Sequence, residues 1–323
     1  MSKFIGRLVN LGIARETSRG TPVAATFWVP KTAFSFDVKA EKIFSSETLG
    51  DITDSSEAYI VSKWGEGAID GEVRDKSFGL FLHALLGSLS SALVGSDTYD
   101  HTFTLATTSN QHTSLSLTVD DPIGDYRFAL AMLNSLTITV KVGEMITYAA
   151  EFISKEGNLF SATASYTAEN KFVAKHAKFL QAATLGALSA ETSIKSFSIT
   201  FAKNVVRDNV LGTIEPEDIL NQAFNVTGTL ELNHEDNTFR DFLIAESYRA
   251  IRLIATNNDV TLTGGYNPTL TINLPRVQFF DWTPNRANDE IVTQTLSFRA
   301  MKDVSASLNI VSSIVLRNEQ TSY

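Results

Sequence analysis

The residues that most often carry chemistry are the five histidines, His83, His101, His112, His176 and His234. None of them has the i, i+4 or cysteine-paired spacing of a zinc site. Cysteine is absent, which removes thiol nucleophiles, disulfides and cysteine metal sites together. His234-Glu235-Asp236 could be a fragment of a ligand cluster, but a solvated turn before a helix is the simpler reading. Asp120 and Asp121 have no partner group near them in sequence for acid–base work and read as turn residues. Thr263-Gly-Gly-Tyr-Asn-Pro268 lies between two expected strands, so it reads as a hairpin turn and not as a phosphate cradle. Neither a Gly-x-Ser-x-Gly elbow nor a Walker loop nor a strand-borne Gly-x-Gly-x-x-Gly occurs. Trp28, Trp64 and Trp282 could line a sugar site, although single tryptophans on strands more commonly anchor cores or interfaces. No catalytic residue, metal ligand or cofactor is expected.

The informative charge is acidic. A net charge of -9, from 27 basic and 36 acidic residues, argues against a protein that grips nucleic acid by its phosphates. Between Trp64 and Arg74, the residues Ile69, Gly71 and Val73 share one parity and suit a core. Glu66, Ala68, Asp70 and Glu72 share the other, so three carboxylates stand on one face of one strand. A matching later face holds Asn225, Thr227, Thr229 and Glu231. Two long polar connections carry the remaining acids of interest. Residues 44–63 contain Glu47, Asp51, Asp54 and Glu57, and residues 205–221 contain Asp208, Glu215, Glu217 and Asp218. Connections of this length tend to be functional.

The elements that position these acids form a pattern written twice. Phe34 to Glu41 alternates with period two, and Ile69-Asp-Gly-Glu-Val73 and the Phe78-Gly-Leu-Phe-Leu82 helix follow. Phe197-Ser-Ile-Thr-Phe201, Val226-Thr-Gly-Thr-Leu230 and Phe239-Arg-Asp-Phe-Leu243 repeat the order. In each copy a Leu-Gly pair, Leu49-Gly50 and Leu211-Gly212, falls in the polar connection. Phe78, Phe81, Leu82, Leu85 and Leu86 make one helical stripe stopped near Gly87, and Thr238-x-x-Asp241 marks the start of the second helix. His101–Ala106 is expected to pair with Ser114–Val119, matched later by Val260–Thr263 and Thr269–Leu274. The closing hairpins are Leu136–Val140 with Thr147–Lys155, and Val277–Trp282 with Thr293–Lys302. Thr147 precedes Phe152 by five residues, and Thr293 precedes Phe298 by the same five.

This gives an extended N-terminal lead-in over 1–33, one module over 34–157, a linker over 158–191, a second module over 192–303 and a C-terminal strand or arm over 304–323. The linker is rich in alanine, serine and threonine and reads as a partial repeat of the lead-in. The class is mainly β, with two tandem sandwich modules that each carry one flanking helix. The first ten residues contain no uninterrupted apolar run, so no secretory signal is read. The run from Phe78 to Gly95 is broken by His83 and three serines and suits a core better than a bilayer.

Gly12-Ile-Ala-Arg-Glu-Thr-Ser-Arg-Gly-Thr-Pro22 resembles the opening of siphophage tail tube proteins. The strand, the long polar loop, Gly67-Ala-Ile-Asp-Gly-Glu72 and the Phe-x-x-Phe-Leu helix ending at Leu-Leu-Gly87 are similar in the same order. The resemblance covers the first 90 residues well and the second copy more loosely; there Gly228-Thr229 replaces the Gly-Glu pair and four extra residues precede the helix. It implies a β-sandwich with a flanking helix, whose copies stack as rings into a tube that conducts phage DNA. Single-module members form hexameric rings, so two modules in one chain imply trimeric rings of pseudo-sixfold symmetry. Glu66, Asp70, Glu72 and Glu231 would then face an acidic lumen, and the two polar connections would reach the adjacent ring. The implied partners are other copies of the chain, a tape-measure protein, and distal tail and tail-terminator proteins. DNA would pass without specific binding, no membrane span is implied, and the place is a virion tail assembled in a host bacterial cytoplasm. The alternatives are a tail-tip, baseplate or adhesin-like surface-binding protein and, less simply, a β-sandwich enzyme.

Overall fold

Large apolar residues alternate with serine, threonine and charged residues through most of this chain, and that period builds strands. The computed structural model describes residues 3–191 and 193–323. Residues 1 and 2 of the expected lead-in, and residue 192 at the expected start of the second module, lie outside the described residues. The first half contains β1 (Asn10–Arg15), β2 (Phe27–Trp28), β3 (Lys31–Phe34), β4 (Asp37–Phe44), β5 (Ala58–Glu72), α1 (Phe78–Leu86), β6 (Gly87–Leu93), β7 (Tyr99–Leu105), β8 (Leu115–Asp120), β9 (Tyr126–Lys141), β10 (Thr147–Ser154) and β11 (Gly157–Leu159). The second half contains β12 (Ala177–Ala182), β13 (Ser189–Glu191), β14 (Ile194–Ala202), β15 (Val206–Asp208), β16 (Asp218–Leu220), β17 (Asn225–Asn233), α2 (Thr238–Ile244), β18 (Arg249–Thr256), β19 (Thr269–Asn285), β20 (Thr293–Ala300) and β21 (Ser313–Asn318). The fold is mainly β and antiparallel, consistent with a sandwich.

One sheet runs through both halves in the order β4–β5–β10–β9–β14–β17–β20–β19. The first part of β9 leaves this sheet to pair with β8 and β11, and β8 continues to β1 and β2. The first part of β19 does the same, pairing with β18 and β21, and β18 continues to β12 and β13. Residues 10–28 and 177–191 are therefore strands of the second layer in their respective halves. β21 also pairs with β7 of the β6–β7 hairpin, so the C-terminal strand ties the second half to the first.

β9 can serve two layers because Leu130 adopts a left-handed conformation with φ 56°. Its N–H donates to the buried Glu16 carboxylate at 2.8 Å, which also accepts from Ser114 Oγ, Ser116 Oγ and Gly20 N. Four donors around one carboxylate offset its desolvation and hold the bend. The glutamate of the Glu-Thr motif is thus structural.

All nine residues of α1 are buried, more than its stripe alone requires. Gly79, at the edge of the stripe, lets the Tyr323 ring lie directly against the helix, where a β-carbon would collide with it. The left-handed Gly87, φ 82°, ends the helix with its N–H on His83 O. In α2 only Phe239 is buried, edge-to-face on Phe279. That helix begins at Thr238 as expected, but Asp236 accepts from the Thr238 N–H at 2.8 Å, so Asp236 supplies the carboxylate at this helix start.

Several expected pairings differ. β7 pairs with β6 and β21, not with β8, because β8 is held between β1 and β9. Val260–Thr263 is not a strand, and the partner of β19 at that level is β18. The segments 136–140 and 277–282 are the far ends of the long strands β9 and β19. The register between halves also changes. Gly67 lies opposite Phe152 and Gly228 opposite Phe298, so Gly67, and not Gly71, occupies the place of Gly228. Gly67 to Phe78 and Gly228 to Phe239 are then the same eleven residues, and the apparent four-residue insertion disappears. Both halves carry a bulge at the same point, skipping Asn134 in β9 and Phe280 in β19.

Candidate assembly surface

The long sheet has one core face and one polar face. Ile69, Ile138, Ile199, Leu230, Leu296 and Phe279 are buried on the first. Across the second, one row reads Asp70, Ala149, Thr137, Thr200, Thr227 and Arg299, strand by strand. The next reads Glu72, Thr147, Thr139, Ser198, Thr229, Ser297 and Asp281. Hydroxyls bond laterally between the halves, with Thr137 Oγ1 to Thr200 Oγ1 at 2.9 Å. Short polar side chains leave this wall without deep relief, and in these two rows the charge stands at the two ends.

Glu66, Asp70 and Glu72 all stand on this polar face, opposite buried Ile69, Gly71 and Val73. Glu66 accepts from Trp64 Nε1 at 2.6 Å. Glu72 is ion-paired, 2.8 Å from Lys171 Nζ and 3.3 Å from Arg74. Glu231 accepts from Ser196 Oγ at 3.1 Å on the same face. Sequence reasoning missed Glu151 on β10, which pairs opposite Ala68 and is exposed there, and Asp281 at the far end. Strand parity in β10 would have found Glu151.

Glu47, Asp51, Asp54 and Glu57 lie on the loop between β4 and β5, all exposed. That hairpin stands free of the body, and Ile43, Phe44, Leu49, Ile52 and Tyr59 on it are all more than half exposed. Such an apolar projection marks an interaction surface. The second connection lies differently. Asp208 and Asp218 face each other across β15 and β16, and Asp218 is salt-bridged to Arg19 at 2.8 Å. Gln111 also donates to Asp218, Lys63 N donates to Ile214 O, and Arg207 stacks 3.6 Å from the Trp64 ring. This loop therefore packs along the first half, leaving Glu217 exposed, Glu215 half-buried and Leu211 fully exposed at its tip. Leu49-Gly50 and Leu211-Gly212 occupy the two tips, each glycine at positive φ.

The buried ionisable groups have structural work. Lys203 is fully buried and donates to Ala84 O at 2.7 Å, while His112 bonds to Leu85 O and Ala106 O. Both satisfy carbonyls at the C-terminus of α1, where a donor is most needed. Burial, and secondarily Arg19, pushes the Lys203 amine well below its ordinary value. Burial also lowers His83 to about 4, with a smaller contribution from Arg15. Among the described residues, no group of three or more His, Cys, Asp or Glu side chains is placed to hold a metal ion. Among them, too, no helix is long and apolar enough to cross a membrane.

A β-rich chain whose polar residues spread over a sheet face, and whose apolar residues project on a hairpin, belongs to the structural proteins that act through surfaces. The family model described as phage tail tube protein matches residues 6–300, and the chain belongs to that family. No curated protein matches the chain. The family is structural and not a known enzyme class, its members are virion tail components, and membership implies self-assembly into a tube.

Proposed function

We propose that three chains close into a pseudo-sixfold ring and that rings stack into a tube whose lumen is lined by the polar sheet face. The observation that carries this reading is the seam between β9 and β14. There the sheets of the two halves join by main-chain pairing, as two neighbouring subunits of a ring would. Division into modules over 34–157 and 192–303 belongs to the same reading, with the strands at 10–28 and 177–191 added to them as second-layer edges. A closed ring needs a heterologous contact whose rotation closes, and stacking needs a second that runs on as a filament.

On this reading Glu66, Asp70, Glu72 and Glu231 face the lumen, with the Lys171 and Arg74 pairs muting Glu72. A basic wall would hold the duplex through many phosphate contacts at once. An acidic one repels it over about 8–10 Å at physiological salt, leaving DNA free to slide. The β4–β5 hairpin, with its exposed apolar residues, reaches the next ring, and the 205–221 tip supplements it. A tape-measure protein would occupy the lumen before DNA, distal tail and terminator proteins would meet the tube ends, and assembly would take place in the host cytoplasm. Negative-stain imaging of concentrated purified protein tests the reading. Rings or tubes are expected, and a protein that stays monomeric at high concentration would overturn it.

A further inference from the structure

The seam inside the chain also serves as a template for the seam between chains. The geometry points to a ring closed by main-chain pairing of the free edge of β19, residues 280–286, with the free edge of β3–β4, residues 34–40, of the next copy. The register sets Asp281 opposite Lys39. This rests on the ring reading above and adds the contact surface and its alignment.

The register follows from equivalences already described. Asn134 and Phe280 are the skipped residues of matching bulges, so Ser135, Thr137 and Thr139 correspond to Asp281, Thr283 and Asn285. A β-carbon on Gly67 would meet Ser35 O at 2.5 Å, and one on Gly228 would meet Ser198 O at 2.5 Å. Ser35 therefore corresponds to Ser198, Asp37 to Thr200 and Lys39 to Ala202. The internal seam pairs Ser135 with Ala202, Thr137 with Thr200 and Thr139 with Ser198. Carried across, it pairs Asp281 with Lys39, Thr283 with Asp37 and Asn285 with Ser35.

The backbone groups are aimed for this. Ser35 N donates to Ala68 O, so odd-numbered residues of this strand bond inward to β5 and the even-numbered ones face outward. Within the seam, Lys203 N donates to Asn134 O and Val142 N to Lys195 O, which assigns the even-numbered residues of β9 to the seam. Their counterparts Phe280, Trp282 and Pro284 thus face the open edge of β19. Pro284 has no N–H to offer, which suits an edge and discourages indiscriminate pairing, while its carbonyl remains free to accept. On the core side, half-buried Trp282 and Pro284 would meet half-buried Val38 and buried Phe36.

Charge then selects one register. Asp281 and Lys39 are both exposed, and among the described residues neither takes part in a salt bridge. A slip of two residues in either direction sets Asp281 against Asp37 or Glu41, and like charges directly opposite are destabilising. A slip of one turns the core face outward. The internal seam, whose register is fixed by a covalent connection, has uncharged Ser135 and Ala202 at this position.

The absence of cysteine makes the test clean. The full chain is prepared as Asp281→Cys with Lys39→Cys, and separately with Asp37→Cys or Glu41→Cys, and each preparation is imaged and then oxidised. Directly opposed, non-hydrogen-bonded residues are close enough for a disulfide. Only the Lys39 combination should give covalent multimers on a denaturing gel. Rings or tubes that form normally but cross-link through Asp37 or Glu41, or through none of the three, would overturn the register while leaving the tube reading intact. Failure of the unmodified chain to assemble would overturn both. A charge exchange gives an arm that needs no cysteine. Lys39→Asp should raise the concentration for half-maximal assembly roughly tenfold, and adding Asp281→Lys should restore it, on the scale of cross-strand charge pairs. No rescue by the exchange would count against the pairing.

Discussion

Alanine at Gly67 or Gly228 probes the claim that the two halves share one architecture. At Gly67 the new methyl would lie 2.5 Å from Ser35 O and 2.7 Å from Phe36 N, where ordinary contact begins at 3.4 Å. The neighbours are backbone atoms of the adjoining strand, so relief requires the strands to separate by most of an ångström. At Gly228 the obstacles are Ser198 O, again at 2.5 Å, and the buried Phe298 ring. Overpacking of this kind costs about 1–3 kcal/mol, and unyielding backbone puts both sites near the upper end. At about 2–4 °C per kcal/mol for large domains, each variant should melt roughly 6–10 °C below the parent. Gly71 is the comparison, because its methyl would meet the buried Tyr148 ring at 2.8 Å or more, a looser contact than at Gly67 and with a side chain in place of backbone. Its alanine variant should lose no more than about half as much. Scanning calorimetry of the unassembled subunit reads all three. A Gly67→Ala variant that melts with the parent, or a Gly71→Ala variant that is the worst of the three, would refute the register between the halves.

Three further outcomes are expected. Lysine at Glu66, Asp70 and Glu231 together should permit tube assembly yet slow DNA ejection, most visibly at low ionic strength; normal ejection there would place this face away from the lumen. Deleting residues 45–56 should leave a folded subunit, by circular dichroism, that cannot lengthen into tubes, and tubes of normal length would remove the hairpin from stacking. His83, held at about 4 by burial, stays neutral in the fold while the unfolded chain takes up its proton near 6.5, so stability should fall between pH 6.5 and 4. His83→Gln should flatten that decline by up to roughly 3 kcal/mol, measured as the difference between the two denaturation profiles; identical profiles would contradict the assignment.

Much of the local structure was legible in the sequence. The parity that separates Glu66, Asp70 and Glu72 from Ile69, Gly71 and Val73 follows from period two alone, and the α1 stripe from period 3.6. What escaped depended on contacts remote in sequence. β19 read as two strands, Thr269–Leu274 and Val277–Trp282, because Pro275–Arg276 interrupts the alternation, and of β9 only Leu136–Val140 was read, because residues 128–133 are an unbroken apolar run without a period of two. β18 carried a usable pattern in Ile251, Leu253 and Ala255, but matching the halves one strand out of step hid it. Nothing local announces the β9–β14 seam, since the joined residues lie some sixty positions apart and meet only when both halves have folded. The exposed apolar residues of the β4–β5 hairpin were visible as letters, yet among so many acids only their exposure shows that they matter.

The number of chains in one ring tests the central claim most directly. Rings released from tubes, or formed by the purified protein, can be weighed by native mass spectrometry against the 35.4 kDa chain. The account predicts three chains per ring, each contributing two pseudo-equivalent positions through the β9–β14 seam. Six chains per ring would contradict it.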